Sequence, residues 1–228
     1  MIKFFRHIRQ NLLMENKTGK YLKYAIGEIV LVVIGILIAL QINTWNESRK
    51  QAISENEFIA SVKKDLIQDK AFINVIINHM EPRKEAYKAL CIDLPNRYTN
   101  ARPSLDSLFQ KYFVSQRTFY PISGSYESAV SGNQINTFSN KALLQDIVKI
   151  YNSTYDRLID NGQIIDGRWF FISKKYSYER RTGNFRDMNP EQLSEFLDDL
   201  YHHYVQMEWY LEMLNGAIVE IDNIISEN

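Results

Sequence analysis

The sequence predicts an all-α protein: one N-terminal transmembrane helix that continues into an antiparallel bundle of three to four long helices, with short plugging helices. Gly and Pro are few, 9 and 5 among 228 residues, whereas sandwiches and barrels need frequent turns. Apolar residues also recur at spacings of three and four over long stretches. A hydrophobic content of 45% with a single Cys excludes both a disordered chain and a disulfide scaffold.

Charge is unevenly distributed along the chain, although 27 basic residues balance 27 acidic ones. Residues 1–24 carry six Lys or Arg and one Glu, and residues 46–228 carry 21 basic and 25 acidic residues. Residues 25–45 hold a single charge, Glu28. We therefore predict a basic cytoplasmic arm over 1–24, a transmembrane signal anchor over 25–45 and a periplasmic helical bundle domain over 46–228.

The apolar segment has the length of a membrane span. Residues 29–40 are an unbroken apolar run, and residues 25–42 extend it with Glu28 and Gln41 as interruptions. Eighteen helical residues rise about 27 Å, close to the hydrocarbon thickness of a bilayer. A buried core helix is the alternative, but no other stretch is apolar enough to surround it. A cleavable signal peptide is a second alternative, and the segment around Ala39 lacks an A-x-A-like cleavage site.

Orientation follows from the basic residues that flank this span. Six precede it, whereas Arg49 and Lys50 are the only two in the dozen residues after it. The positive-inside rule therefore places the N-terminus in the cytoplasm.

The first bundle elements follow from periodicity and punctuation. One helix of roughly 30 residues should end at Pro82, with Asp69 as the one break in its apolar seam. A short helix over Arg83–Ile92 should follow, and another should start at Pro103-Ser104. Residues 115–124 should form a loop. The seam of the long helix comprises Ile59, Val62, Leu66, Ile73, Ile76 and Met80.

The later elements are two further long helices and a short one. Residues 126–131 predict a short helix that Gly132 closes, and Ser139 should cap the first long helix. Asn189-Pro190 is a paired start signal for the last helix. The two predicted seams are Leu144, Val148, Tyr151, Tyr155, Leu158, Gly162, Ile165, Trp169 and Ile172, and Leu193, Leu197, Leu200, Tyr204, Met207, Leu211, Leu214, Ile218, Ile221 and Ile225.

Two stretches of the sequence resemble a known family. YAIGEIVLVVIGILIALQIN, within residues 1–50, and PISGSYESAVSGNQINTFSNKALLQDIVKIYN, residues 121–152, are similar to an uncharacterised family of bacterial single-pass inner-membrane proteins, a domain of unknown function. The resemblance implies an inner-membrane location in a two-membrane bacterium, with a helical periplasmic domain. It implies no activity, catalytic residue or ligand.

The span contains two features of interest. Gly27, Gly35 and Ala39 share one face at four-residue spacing, which allows close approach of a second helix. Small residues are also simply frequent in membrane helices. Glu28 could relay protons or ions as an intramembrane carboxylate, or it could snorkel to the headgroups about one turn inside the boundary.

Few residues elsewhere suggest chemistry. His202 and His203 are adjacent, so on a helix they point about 100° apart and cannot jointly chelate one metal as an i, i+4 pair would. Cys91, the sole cysteine, could pair only between molecules, and a buried thiol is the simpler interpretation. No catalytic motif or phosphate-binding loop is evident, so we expect neither an enzyme nor a cofactor.

The candidate binding surface is an aromatic stretch that precedes Glu179-Arg180-Arg181. A thick core at one end of the bundle would explain the same residues. Basic residues are scattered among acidic ones after the span, so nucleic acid is not an expected partner. The stretch consists of Trp169, Phe170, Phe171, Tyr176 and Tyr178.

These observations favour a membrane-anchored periplasmic interaction or sensory module without catalytic activity. Its expected partners are the lipid bilayer, whose anionic lipids suit the basic arm, and a second copy or another membrane protein. The alternative is an accessory subunit of an inner-membrane complex that uses Glu28 in ion coupling. A metal-dependent enzyme built on the His-rich helix is the third hypothesis.

Overall fold

The structure, a computed structural model, describes residues 18–91 and 102–227. Regular structure in these ranges is entirely helical, which confirms the all-α prediction. The α-helices are α1 (Thr18–Cys91), α2 (Arg102–Tyr112), α3 (Gly124–Ser131), α4 (Lys141–Lys149), α5 (Asp156–Lys175), α6 (Ser177–Thr182) and α7 (Pro190–Ser226). A π-helical segment, Ile150–Tyr155, joins α4 to α5, and short 3₁₀ turns occupy Gln134–Thr137 and Phe185–Asp187.

The chain divides into two compact units, one up to Asn56 and one from Glu57 onward. The predicted segment boundaries at residues 24 and 45 remain predictions, and residues 1–17 of the basic arm lie outside the described residues.

The first unit contains the apolar helix. Among the described residues, α1 alone is long and apolar enough to cross a membrane, with a mean hydropathy of 2.6 in its most apolar window. No residue of that window is buried, whereas the core helix of a soluble protein is mostly buried. The exposed apolar part of α1 is consistent with membrane anchoring.

Helix α1 passes through Pro82 without ending there. The predicted helix end at Pro82 and the separate short helix after it are therefore wrong. A proline inside a helix costs about 3 kcal/mol, because it removes a hydrogen bond and clashes with the preceding turn. Met80 before it and Tyr87 and Leu90 after it are buried, and each large apolar side chain contributes about 1.5–3 kcal/mol. Tertiary packing thus outweighs the local helix breaker.

In the second unit, α7 runs antiparallel to α1. Lys70 of α1 pairs with Asp222 near the end of α7, whereas Tyr87 stacks on Tyr204 in the first half of α7, with 4.2 Å between ring centroids. Two ion pairs give the same direction for α7 against α4 and α5, Lys149–Glu220 at 2.8 Å and Lys175–Asp199 at 2.7 Å.

The predicted seams form the bundle core. Most of their members are buried, and Ile59, Val148, Trp169, Tyr204, Ile218 and Ile225 are partly buried. Two core clusters result, one that extends from Phe58 to Ile224 and one built around Phe109, Tyr112 and Phe196.

Helix starts agree with the sequence at one position and differ at three. Helix α3 begins at Gly124, two residues before the predicted start at Tyr126 and inside the predicted loop. Asn189 caps α7 in a reciprocal capping box with Gln192, as the Asn-Pro signal predicts. Asn140, not Ser139, caps α4, because its side chain accepts a hydrogen bond from the Leu143 amide at 3.1 Å. Helix α2 begins at Arg102, two residues before the predicted cap Ser104.

Candidate functional site

Phe113, just after α2, is the centre of an aromatic cluster. Its ring lies 5.5 Å from that of Phe185 in a stacked arrangement, 5.8 Å from Phe196 and 5.4 Å from Trp169. These rings come from α5, α7 and the 3₁₀ turn after α6. Because each ring contacts several others, their positions are fixed by mutual packing.

A cleft opens beside this cluster, with a volume of ≈ 350 Å³. Helix α2 and the residue after it supply one wall, α6 a second and the 3₁₀ turn a third. No acidic residue is among the described side chains that line it. The lining residues are Gln110, Phe113, Ser177, Arg180, Arg181 and Phe185.

Two arginines give the cleft its positive charge. The guanidinium carbon of Arg180 lies 5.2 Å from the Phe113 ring centroid and 5.6 Å from that of Trp169, and one of its nitrogens donates to the Ser173 carbonyl at 3.3 Å. Arg181 lies over the Tyr178 ring at 5.7 Å. Within residues 18–91 and 102–227, neither arginine forms a salt bridge with a carboxylate. Among the described residues, the guanidinium groups in the cleft therefore have a carbonyl acceptor and ring partners but no anionic partner.

Gly183 reverses the chain between α6 and the cluster. Its φ of +73° lies in the left-handed region, which favours glycine, and its N–H donates to the Glu179 carbonyl at 2.7 Å. A Cβ at this position would meet Gln110 Nε2 at 3.6 Å, an ordinary contact. The requirement for glycine is therefore conformational rather than steric.

Arg83 of α1 is fully buried next to the cluster. Its guanidinium donates to the carbonyls of Tyr112 at 2.9 Å, Val114 at 2.6 Å and Ser115 at 3.2 Å, and to the Gln116 side chain. These carbonyls lie at and beyond the end of α2, where backbone acceptors have no helical partner. Burial lowers the pKa of Arg83 to about 10, so the group stays charged at neutral pH.

His203 is buried beside Tyr112, and its Nδ1 lies 2.7 Å from the Tyr112 hydroxyl oxygen. Burial, together with the charges of Arg83 and Arg168, lowers the pKa of His203 to about 3. The imidazole is therefore neutral at physiological pH, and His202 is exposed. Among the described residues, no group of three or more His, Cys, Asp or Glu side chains could hold a metal ion.

A second polar cluster surrounds Asp69. This carboxyl group is 1% exposed and accepts a hydrogen bond from the Ile122 amide at 3.0 Å. Its second oxygen and the Tyr155 hydroxyl are buried without a standard hydrogen bond to any described residue, although the hydroxyl is near enough to lower the pKa of Asp69 slightly. Burial dominates and raises that pKa to about 6. Tyr155 belongs to the π-helical segment, a type of local widening that often marks functional sites.

The five aromatic residues of the predicted surface fall into two groups. Tyr176 is buried, with its hydroxyl donating to Asp199 at 2.7 Å, and Trp169 is half-buried in the cluster. Phe170, Phe171 and Tyr178 are 67%, 55% and 58% exposed. Tyr178 lies on α6, which carries the two arginines of the cleft, whereas Phe170 and Phe171 lie on α5.

The predicted membrane-helix residues lie on an uncovered helix. A Cβ added at Gly27 or Gly35 would meet no atom within 4 Å, and Ala39 is exposed. Glu28 is half-buried. Their roles in association and ion coupling remain predictions. Cys91 is the last residue of α1, and its side chain lies outside the described residues.

Sequence reasoning missed Arg83 and His203, two buried polar side chains of this region. Arg83 was hidden by its position after Pro82, where a helix end was expected. His203 was noted only as half of an adjacent His pair. The one signal was spacing, since His203 lies three residues after the seam residue Leu200.

Residues 28–179 match a family described as "Family of unknown function (DUF6090)", and this range covers about two thirds of the chain. The chain belongs to this family. The predicted resemblance to an uncharacterised domain is thereby confirmed, whereas a bacterial origin and an inner-membrane location remain predictions. No curated protein and no solved structure matches the chain. The DUF6090 match includes Gln110, Phe113 and Ser177 of the cleft and ends before Arg180.

Proposed function

We propose that this member of DUF6090 is a membrane-anchored interaction or sensory module without catalytic activity. Its apolar helix would hold it in a bacterial inner membrane, with the bundle in the periplasm. The bundle would act by binding a second copy or another membrane protein. The observation that carries this proposal is the exposure of three large aromatic side chains, Phe170, Phe171 and Tyr178, the last of which contacts Arg181 of the cationic cleft.

The composition of this surface supports binding. Aromatic residues and arginine are enriched where proteins bind one another, because they contribute large contact areas with little loss of conformational entropy. Lys175 already lies over the Phe171 ring at 5.6 Å, so the aromatic surface includes a cationic neighbour.

The placement of the ionisable groups supports a non-catalytic role. Asp69, Arg83 and His203 have perturbed pKa values, but all three are buried away from the cleft lining. Their partners are backbone groups and tyrosine hydroxyls within the core. Ser177, the hydroxyl in the cleft, has no histidine beside it among the lining residues.

The experiment is site-specific photo-crosslinking in intact membranes. A benzophenone amino acid replaces Tyr178 in the full chain, and the matched control carries it at Val219, which is 60% exposed on α7. We expect one discrete higher-mass product from position 178 that the control lacks. Mass spectrometry then shows whether the partner is a second copy or another membrane protein. Equal, diffuse crosslinking from both positions would contradict the proposal.

Orientation has its own test. A reporter that is active only outside the cytoplasm, fused after Asn228, should be active, because six basic residues precede the span and two follow it closely. Activity of a cytoplasm-only reporter at the same position would contradict the proposed topology.

A further inference from the structure

We propose that the cleft between α2 and α6 is a binding site for a small organic oxyanion, a carboxylate or phosphate group carried on a flat apolar body. This inference rests on the proposed function only in assigning the bundle a binding role, and it adds a ligand site distinct from the partner surface. Its volume of ≈ 350 Å³ lies within the range of small-molecule pockets.

Charge complementarity identifies the anionic part of the ligand. Arg180 and Arg181 both line the cleft, and none of the described side chains that line it is acidic. A guanidinium has five N–H donors in a planar fork that matches a carboxylate or a phosphate. Arg180 uses one donor on the Ser173 carbonyl, so the others remain for a ligand. Two such groups in one cleft repel a cationic ligand and leave a neutral one without a charged partner.

Arg180 is held in place before any ligand arrives. Its guanidinium stacks on the rings of Phe113 and Trp169, at 5.2 and 5.6 Å. An arginine that is already ordered loses less side-chain entropy when it binds an anion. The Gln110 amide and the Ser177 hydroxyl add neutral donors to the same cleft. The cleft thus combines four polar or charged side chains with the two phenylalanines.

The aromatic wall identifies the apolar part of the ligand. The half-buried Phe113 supplies the accessible ring of this wall, and Phe185, which is 2% exposed, stacks against it with 16° between their planes. Phe185 also contacts Phe109 at 4.6 Å and Phe196 at 5.5 Å, so the wall is supported from behind. A flat apolar body can pack on such a wall through offset stacking and loses its contact with water there. Inorganic phosphate lacks that contribution.

The test uses the full chain in nanodiscs of neutral lipid, with phenyl phosphate as the probe. All three tryptophans are labelled with 5-fluorotryptophan, and their ¹⁹F signals are assigned by single substitution. We expect saturable movement of the Trp169 signal, because that indole contacts Arg180, and fixed signals for Trp45 and Trp209. Inorganic phosphate should bind about tenfold more weakly, and phenol should not move the signal.

Variants separate the site from general charge. We expect R181Q to weaken phenyl phosphate binding at least about tenfold, a typical loss for an interfacial arginine. Arg181 lies over the Tyr178 ring and forms no hydrogen bond or ion pair with any described residue, so R181Q should fold normally. R117Q is the matched control, since Arg117 is exposed outside the cleft lining, and it should bind like the unmodified protein.

The inference is overturned by equal binding of the probe by R181Q and R117Q, by equal affinity for inorganic phosphate, or by movement of the Trp209 signal as large as that of Trp169. Adding anionic lipid to the nanodiscs separates a soluble ligand from a lipid headgroup. Displacement of the probe by that lipid would contradict a ligand with a flat apolar body. Undiminished binding of the probe would support such a ligand. Crosslinking from position 178 that persists without probe binding would refute this inference and leave the proposed function standing.

Discussion

The guanidinium carbon of Arg83 lies 4.4 Å from the ring centroid of Trp169, in a fully buried position. This cation–π contact joins α1 to α5 at the level where the same arginine binds the carbonyls that follow α2. Arg180 of the cleft approaches the same indole at 5.6 Å. Trp169 therefore links the buried core to the candidate ligand site.

Loss of the Arg83 side chain should destabilise the bundle. Arg83→Met leaves the carbonyls of Tyr112 and Val114 without their guanidinium donor, and a buried acceptor that loses its donor costs about 1–3 kcal/mol. We expect a decrease of about 2–4 kcal/mol in the free energy of unfolding, measured by denaturant titration. Lys84→Met is the control, since Lys84 forms only an i, i+3 pair, and it should change stability by less than about 0.5 kcal/mol. Equal stability of the two variants would contradict the role given to Arg83.

Asp69 should make the protein more stable at mildly acidic pH. Its folded pKa of about 6 lies above the ordinary value of 3.8, so the folded state binds a proton that the unfolded state binds only at lower pH. The stabilisation is fully present below pH 3.8 and is lost as the pH rises through 6, with a total of about 3 kcal/mol. Asp69→Asn should remove this dependence, and the exposed control Asp156→Asn should keep it. If Asp69→Asn kept the same dependence of stability on pH, the role given to the buried Asp69 carboxyl group would be contradicted.

His203 should have the opposite effect on pH dependence. Its folded pKa of about 3 lies below the ordinary value of 6.5. Its contribution to the free energy of unfolding is therefore present above pH 6.5 and is lost as the pH falls toward 3. His203→Gln should flatten this part of the stability profile. The neighbouring exposed residue supplies the control, since His202→Gln should leave the profile unchanged. Identical stability profiles for the two variants would contradict the burial of His203.

The buried seam can be tested with charge insertion. Leu200→Asp and Leu158→Asp each place an unpaired carboxylate at a fully buried position, so we expect losses of about 3–5 kcal/mol or a failure to fold. Val219→Asp on α7 and Ile164→Asp on α5 are the matched controls, at 60% and 49% exposure, and should have small effects. Circular dichroism and thermal unfolding provide the measurements. Similar losses of stability in the buried and the exposed variants would contradict the assignment of Leu200 and Leu158 to the buried seam.

Association through the membrane helix is the remaining prediction. Gly35→Ile fills the small-residue face while keeping the segment apolar, so we expect it to halve or abolish the dimer signal in a membrane two-hybrid assay. Glu28→Gln should leave that signal unchanged if Glu28 snorkels. Unaltered association of Gly35→Ile would reduce the span to a tether, and loss of association in Glu28→Gln would favour the ion-coupled alternative.

Local features of the sequence were sufficient for the helical class, the apolar segment and the start of α7. Residues 29–40 are apolar without interruption, and the Asn189-Pro190 signal acts through bonds within one helical turn. The seams through Leu158 and Leu200 repeat over many turns, so their buried face follows from helical geometry alone.

The remaining features were decided by tertiary structure, because they depend on what packs against each residue. Pro82 lies inside a helix since the surrounding side chains of α1 are buried on both sides of it. Asp69, a break in an apolar seam by sequence, is buried against the amide of a loop residue 53 positions away. The cleft joins Gln110 of α2 to Arg180 of α6, and no sequence spacing encodes that distance. Periodicity thus specified the helices, whereas long-range packing positioned the candidate site.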